Sequence, residues 1–166
     1  MKYASIRKLD VTNGPGIRTT LFVSGCTHNC EDCFNKEQQD FNYGEEFTKE
    51  VEDNFIEYTK SRQIKGVNIL GGEPMQQVKD DTLLKLLRRI KEETNKPIWL
   101  WSGYTFEEII NNPKRLELLK EVDVLIDGKF EKENRDIMLK YRGSNNQRVI
   151  DVKKSIDENR VIEIII

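Results

Sequence analysis

At 166 residues, 37% of them hydrophobic, the chain has the length of one globular domain, enough to bury roughly 70% of the surface that its unfolded form exposes. Its 27 basic and 29 acidic residues leave a net charge of -2 with no basic stripe, which argues against a nucleic-acid partner and against a membrane surface. The opening MKYASIRKLDVTNGPG has no apolar core of signal-peptide length, and no stretch approaches the roughly 20 apolar residues of a membrane span, so the cytoplasm is the expected location.

In chain order, Gly14-Pro15-Gly16 marks a turn. Thr19-Thr20-Leu21-Phe22-Val23 follows as a near-continuous apolar run, the pattern of a buried strand. Val51, Phe55 and Tyr58 keep helical spacing, and Gly66-Val67-Asn68-Ile69-Leu70 reads as the second strand. Leu83, Leu84, Leu86, Leu87 and Ile90 carry a second helix to the strand Pro97-Ile98-Trp99-Leu100-Trp101. Thr105 with Glu108 three residues on is a capping box that opens a third helix, which Asn112-Pro113 interrupts before Leu116 and Leu119 resume. Val122-Asp123-Val124-Leu125-Ile126 is the fourth strand, Arg142-Gly143-Ser144-Asn145-Asn146 a loop, and Val161 to Ile166 a final strand.

Strand and helix alternate, which predicts an α/β fold with a mainly parallel sheet; right-handed crossovers limit it to a doubly wound sheet or a (β/α) barrel. A full eightfold barrel needs at least about 200 residues, so a barrel here is expected to be partial or open. No repeat, low-complexity tract or Pro/Ser-rich linker divides the chain, and residues 1–166 read as a single domain.

All three cysteines fall in Gly25-Cys26-Thr27-His28-Asn29-Cys30-Glu31-Asp32-Cys33-Phe34-Asn35, spaced C-x3-C-x2-C directly after the first predicted strand. An odd, clustered set cannot complete a disulfide framework, which leaves metal or redox chemistry. The loop leaves the C-terminal end of its strand, where α/β sheets bind ligands. Three thiolates on a 4Fe-4S cluster leave one iron open to an exogenous chelate. The competing reading is a tetrahedral zinc site of Cys26, Cys30, Cys33 and His28 in a zinc-stabilised interaction module. His28 lies only two residues from both Cys26 and Cys30, which crowds such a shell; as the sole histidine it is expected to face solvent.

Leu70-Gly71-Gly72-Glu73-Pro74 ends the second strand with two glycines and a carboxylate, and Asp127-Gly128-Lys129-Phe130 closes the fourth. Trp99 and Trp101 share one face of their strand by period two, as core aromatics do, and Ser102 and Gly103 follow at its end, placed to touch a nucleoside.

C-x3-C-x2-C resembles the radical S-adenosylmethionine (SAM) signature, and Gly71-Gly72-Glu73 resembles the motif that receives the SAM amino group in that superfamily. Asp127 and Lys129 are similar to the acidic-x-Lys segment near the SAM methionine moiety in glycyl-radical activating enzymes. Asn13-Gly14-Pro15-Gly16-Ile17-Arg18-Thr19-Thr20-Leu21-Phe22-Val23-Ser24-Gly25-Cys26 and Arg142-Gly143-Ser144-Asn145-Asn146-Gln147-Arg148-Val149-Ile150-Asp151-Val152 closely resemble segments of the anaerobic ribonucleoside-triphosphate reductase activating proteins. The likeness runs nearly end to end. It departs from the wider superfamily at position 32, where Asp32 stands in place of an aromatic and Phe34 follows.

The resemblance implies a radical SAM type of barrel and a 4Fe-4S cluster on Cys26, Cys30 and Cys33, with SAM on its open iron. Asp32, Cys33, Phe34, Gly71, Gly72, Glu73, Asp127 and Lys129 are the implied SAM contacts. It further implies an external low-potential electron donor and a partner reductase whose glycine Cα loses a hydrogen atom to a 5'-deoxyadenosyl radical. A radical SAM enzyme with a small-molecule substrate of the deazapurine type is the alternative enzymatic reading. Arg18 and Arg148 are expected to be solvated loop residues.

Overall fold

The computed structural model describes residues 1–166. Its elements in chain order are β1 (Lys2–Asp10), β2 (Ile17–Val23), β3 (Glu45–Glu46), α1 (Lys49–Thr59), β4 (Ile64–Gly71), α2 (Thr82–Thr94) and β5 (Ile98–Trp101). They continue with α3 (Phe106–Ile110), α4 (Pro113–Leu119), β6 (Val124–Asp127), β7 (Arg148–Asp151) and α5 (Val152–Glu158). The seven strands form one sheet in the order β3-β1-β2-β4-β5-β6-β7. β2, β4, β5 and β6 run parallel, whereas β1 and β7 flank them antiparallel. The chain is therefore α/β with an open, mixed sheet that is parallel in its middle, rather than mainly parallel throughout.

Local signals explain most of the elements. The Thr105 side chain accepts from the Glu108 N–H while the Glu108 carboxylate accepts from the Thr105 N–H, so the predicted capping box is complete. Asn112 caps α4, whose first residue is Pro113, and that break makes two short helices of the one predicted. β1 has no counterpart in the expected elements because its residues are largely exposed or half-buried and lack a buried apolar run. The strand expected at Val161 to Ile166 does not form. The antiparallel partner of β6 is β7, and the C-terminal segment touches it only through the Ile150–Glu163 bridge and flanking backbone bonds such as Ile164 N–H to Val149 O.

The period-two alternation of the central strands separates two faces. Leu21, Val23, Val67, Ile69, Ile98, Leu100, Leu125 and Ile150 pack with residues of all five helices in one core of 22 buried side chains. The opposite face carries Phe22, Trp99, Ile126 and Val149, with the polar Thr20 and Asn68 between them. Arg18 also sits there, 1% exposed: Nε donates to Asn68 Oδ1 (2.7 Å), and the guanidinium stacks 5.1 Å over the Trp99 ring. It is a strand residue of β2, not a solvated loop arginine. The guanidinium has a partner at almost every donor, which is the condition for burying it.

Candidate active site

A cavity of about 610 Å³ opens on the helix-free face, where the segments after β2, β4 and β5 meet. Cys26, Cys30 and Cys33 line it together with Phe34, Gly71, Gly72, Glu73, Ser102 and Gly103. Loops at the C-terminal ends of parallel strands converge in this way because consecutive crossovers deliver them to the same edge.

The cysteine loop is tied down at its base. Gly25 N–H donates to Gln38 O (2.7 Å), Cys26 N–H to Gln39 O (3.0 Å), and the Asn35 side-chain amide to Gly71 O (3.1 Å). From the other side, Gly72 N–H donates to Val23 O (2.8 Å) and Glu73 N–H to Gly25 O (2.7 Å). These approaches explain the glycine pair. Gly71 holds φ +108°, and a Cβ there would lie 2.5 Å from Val23 O. At Gly72 a Cβ would lie 2.6 Å from Gly25 O and 2.7 Å from Gln38 O. The two glycines let β4 close against the cysteine loop.

The Glu73 carboxylate is 1% exposed and has four hydrogen-bonding partners. Oε2 accepts from Met75 N–H (2.9 Å) and Ser102 Oγ–H (2.8 Å); Oε1 accepts from Gly103 N–H (2.6 Å) and lies 2.8 Å from His28 Nε2. His28 is therefore not solvent-facing: its side chain is 7% exposed and its ring meets Tyr104 edge-on at 4.6 Å. Gln76 bridges Thr27 and Tyr104, and Arg115 donates to the Tyr104 hydroxyl. Gln76, Tyr104 and Arg115 were not readable as site residues, since they are ordinary polar and aromatic residues that only the fold gathers.

Other expected contacts stand elsewhere. Asp32, at φ +55°, points to Lys132 Nζ (3.3 Å) and does not line the cavity. Phe34 does line it, 64% exposed, with its ring 5.0 Å from that of Phe130. Asp127 is 1% exposed and outside the lining: Oδ2 accepts from Phe106 N–H (2.7 Å) and from Arg148 (2.6 Å). Arg148, expected to be solvated, instead bridges Asp127 and Glu107. Lys129 is exposed and outside the lining, its carbonyl accepting from Asn146. Ser102 and Gly103 are at the cavity wall, and both spend a donor on Glu73.

Burial pushes the Cys26 thiol up to about 11, with the nearby Glu73 charge adding to the effect; burial raises Cys30 as well. Iron would therefore have to displace protons from half-buried thiols. No three His, Cys, Asp or Glu side chains converge on a single point. In a 4Fe-4S cluster each of three thiolates takes a separate iron, and one iron is left without a protein ligand. The donor set fits the cluster, and His28, turned to Glu73, is no fourth zinc ligand.

The model of the 4Fe-4S single cluster domain family matches residues 12–150. The anaerobic ribonucleoside-triphosphate reductase-activating protein of Vibrio cholerae is 43% identical over 150 residues, covering 89% of this chain and 96% of that one. Its Escherichia coli K12 namesake is 41% identical over 152 residues, covering 90% and 97%. The protein of that name from Enterobacteria phage T4 is 40% identical over 150 residues, covering 90% and 93%. No helix of the chain is long and apolar enough to cross a membrane. Matched over most of its length by both comparisons, the chain belongs to the family of anaerobic ribonucleoside-triphosphate reductase-activating proteins and has their 4Fe-4S single cluster domain.

Proposed function

We propose that this protein activates an anaerobic ribonucleoside-triphosphate reductase by radical SAM chemistry. The single observation that carries the reading is the convergence of all three cysteines on one cavity with the Gly71-Gly72-Glu73 turn. In this reading residues 1–166 act as one domain, its open sheet serving as a partial barrel whose concave face holds the reactants. Cys26, Cys30 and Cys33 hold the cluster. With cluster and SAM bound, the chemistry supplied is reductive cleavage of the sulfonium to methionine and a 5'-deoxyadenosyl radical, which takes a hydrogen atom from a glycine Cα of the reductase.

The chain's own residues bind and orient. Gly71 and Gly72 bring the β4 backbone against the cysteine loop, and the backbone of the Glu73 turn and of Cys33 and Phe34 borders the space SAM would fill. Asp32 and Lys129 reach SAM in this reading only by turning inward from the rim, and Asp127, already held by Phe106 N–H and Arg148, reaches it only by releasing them. Apolar Phe22, Leu70, Phe34 and Trp101 line the same cavity and exclude water from a reactive radical. An external low-potential donor, flavodoxin-like or thioredoxin-linked, supplies the electron.

The test is anaerobic reconstitution with iron and sulfide, then dithionite reduction with SAM and assay of 5'-deoxyadenosine, beside a Cys26→Ala, Cys30→Ala, Cys33→Ala triple variant. The nucleoside is expected only from intact cysteines, and a glycyl-radical signal only when the reductase is added. Nucleoside formation that survives in the triple variant, or its absence from the intact iron-loaded chain, overturns the reading.

A further inference from the structure

We propose that His28 and Glu73 form a clasp that positions the cysteine loop, so that the Glu73 carboxylate serves the loop and does not receive the ammonium group of SAM. The inference rests on the reading of Cys26, Cys30 and Cys33 as cluster ligands, and it reassigns the acidic residue of the Gly71-Gly72-Glu73 turn.

A carboxylate offers about four lone-pair positions. In Glu73 all four are taken: two by Met75 N–H and Ser102 Oγ–H at Oε2, two by Gly103 N–H and His28 Nε2 at Oε1. Two of the four partners, the Met75 and Gly103 N–H groups, can only donate; against an ionised carboxylate the Ser102 hydroxyl donates as well, and His28 takes the tautomer with its proton on Nε2. An incoming ammonium would find no free lone pair without expelling His28.

His28 is the midpoint of the arc between Cys26 and Cys30. The base of the loop is fixed by backbone bonds at Gly25 and Cys26 and by the Asn35 side-chain amide, but along the arc the anchors to the sheet are few. They are His28 to Glu73 and the paired bonds of Thr27 with Gln76. The ion pairs of Lys132 with Glu31 and Asp32 are exposed and hold less. Removing the imidazole donor frees the segment that carries the thiols.

Gly103 is built for the clasp. Its N–H donates to Glu73, and a Cβ there would lie 2.6 Å from Cδ2 of the His28 ring. Only glycine at that position leaves room for the imidazole, which the Tyr104 ring then backs at 4.6 Å. His28 and Glu73 are thus positioning residues, 45 positions apart in sequence and acting on the cysteines through the loop.

The experiment measures amide hydrogen exchange of the full chain, metal-free and iron-loaded, under anaerobic conditions for His28→Phe, His28→Gln, Gly103→Ala and Glu73→Gln. SAM binding to the iron-loaded forms is measured in parallel. His28→Phe keeps a ring against Tyr104 but loses the donor. It is expected to exchange residues 27–34 about tenfold or more faster, the effect of losing one hydrogen bond to a charged group, with β2, β4 and β5 unchanged. Gly103→Ala is expected to do the same by displacing the ring, and His28→Gln to restore protection. Iron-loaded His28→Phe is expected to surrender iron to a chelator several-fold faster.

Wild-type exchange of the loop in both His28→Phe and Gly103→Ala overturns the clasp. So does a Glu73→Gln variant that loses SAM binding while its loop exchanges as wild type, because the carboxylate would then be a ligand contact. If His28→Phe loses protection across the sheet, Gly103→Ala and the His28→Gln rescue decide alone. A chain that shows the expected exchange pattern yet makes no 5'-deoxyadenosine refutes the proposed function and leaves the clasp standing.

Discussion

Replacing Gly72 by alanine tests how tightly β4 is closed on the cysteine loop. The added methyl would stand 2.6 Å from Gly25 O and 2.7 Å from Gln38 O. Ordinary carbon-oxygen contacts lie near 3.3–3.6 Å, so both carbonyls must retreat by roughly 0.6–1 Å. Neither is free to do so: Gly25 O accepts from Glu73 N–H, and Gln38 O accepts from Gly25 N–H, each at 2.7 Å. Weakening two backbone hydrogen bonds costs about 1–3 kcal/mol, and overpacking costs typically about 1–3 kcal/mol, partly the same energy. The sum is about 2–4 kcal/mol, or a fall in Tm of roughly 5–15 °C for a chain of this size. Thermal unfolding of the metal-free chain followed by circular dichroism reads the stability, and iron content after reconstitution reads the loop. Serine at this position is expected to behave as alanine does, because its Cβ meets the same carbonyls. A Tm within about 2 °C of wild type together with full iron content would refute the close-approach account.

Three further outcomes follow from the same structure. Arg148→Met leaves Asp127 buried without its cation and is expected to cost about 3 kcal/mol in denaturant unfolding, much of it recovered in Arg148→Met with Asp127→Asn; a full loss that persists in the double variant counts against the pair. At Asp10, burial alone would raise the carboxyl, but hydrogen bonds from Thr20, Asn13 and Thr12 outweigh it and hold the group at about 2. Its folded value lies below the unfolded one, so it contributes about 2 kcal/mol above pH 4 that is lost as pH falls from about 4 to 2; the acid limb of a Tm-pH profile is expected to flatten in Asp10→Asn. In the metal-free chain Cys26, pushed to about 11 from 9.0, holds about a hundredfold less thiolate at pH 8 than an unperturbed thiol. Iodoacetamide mapped by mass spectrometry is expected to label Cys26 far more slowly than a free cysteine, and fast labelling there contradicts its burial.

The central strands, the capping box at Thr105 and the cysteine spacing were all legible, because each is written in contiguous residues or a fixed period. The strand-helix alternation was enough for the α/β class and for placing the cysteine loop at the C-terminal end of β2. The ends of the sheet were not legible. β1 lacks a buried apolar run, and the apolar Val161 to Ile166 segment resembles a strand but pairs with β7 through a single isolated bridge.

The amino-acid sequence by itself determined which segments could be buried and which three side chains could hold iron. Tertiary structure alone decided the fate of the polar groups. Arg18 is buried because Asn68, 50 residues away, meets its guanidinium, and Asp127 because Arg148 arrives from the next strand. His28 turns inward because the Glu73 carboxylate is waiting there. Apolar burial is non-directional and follows composition and period, whereas a buried charge or imidazole needs a partner at hydrogen-bonding distance, and only the folded chain supplies it.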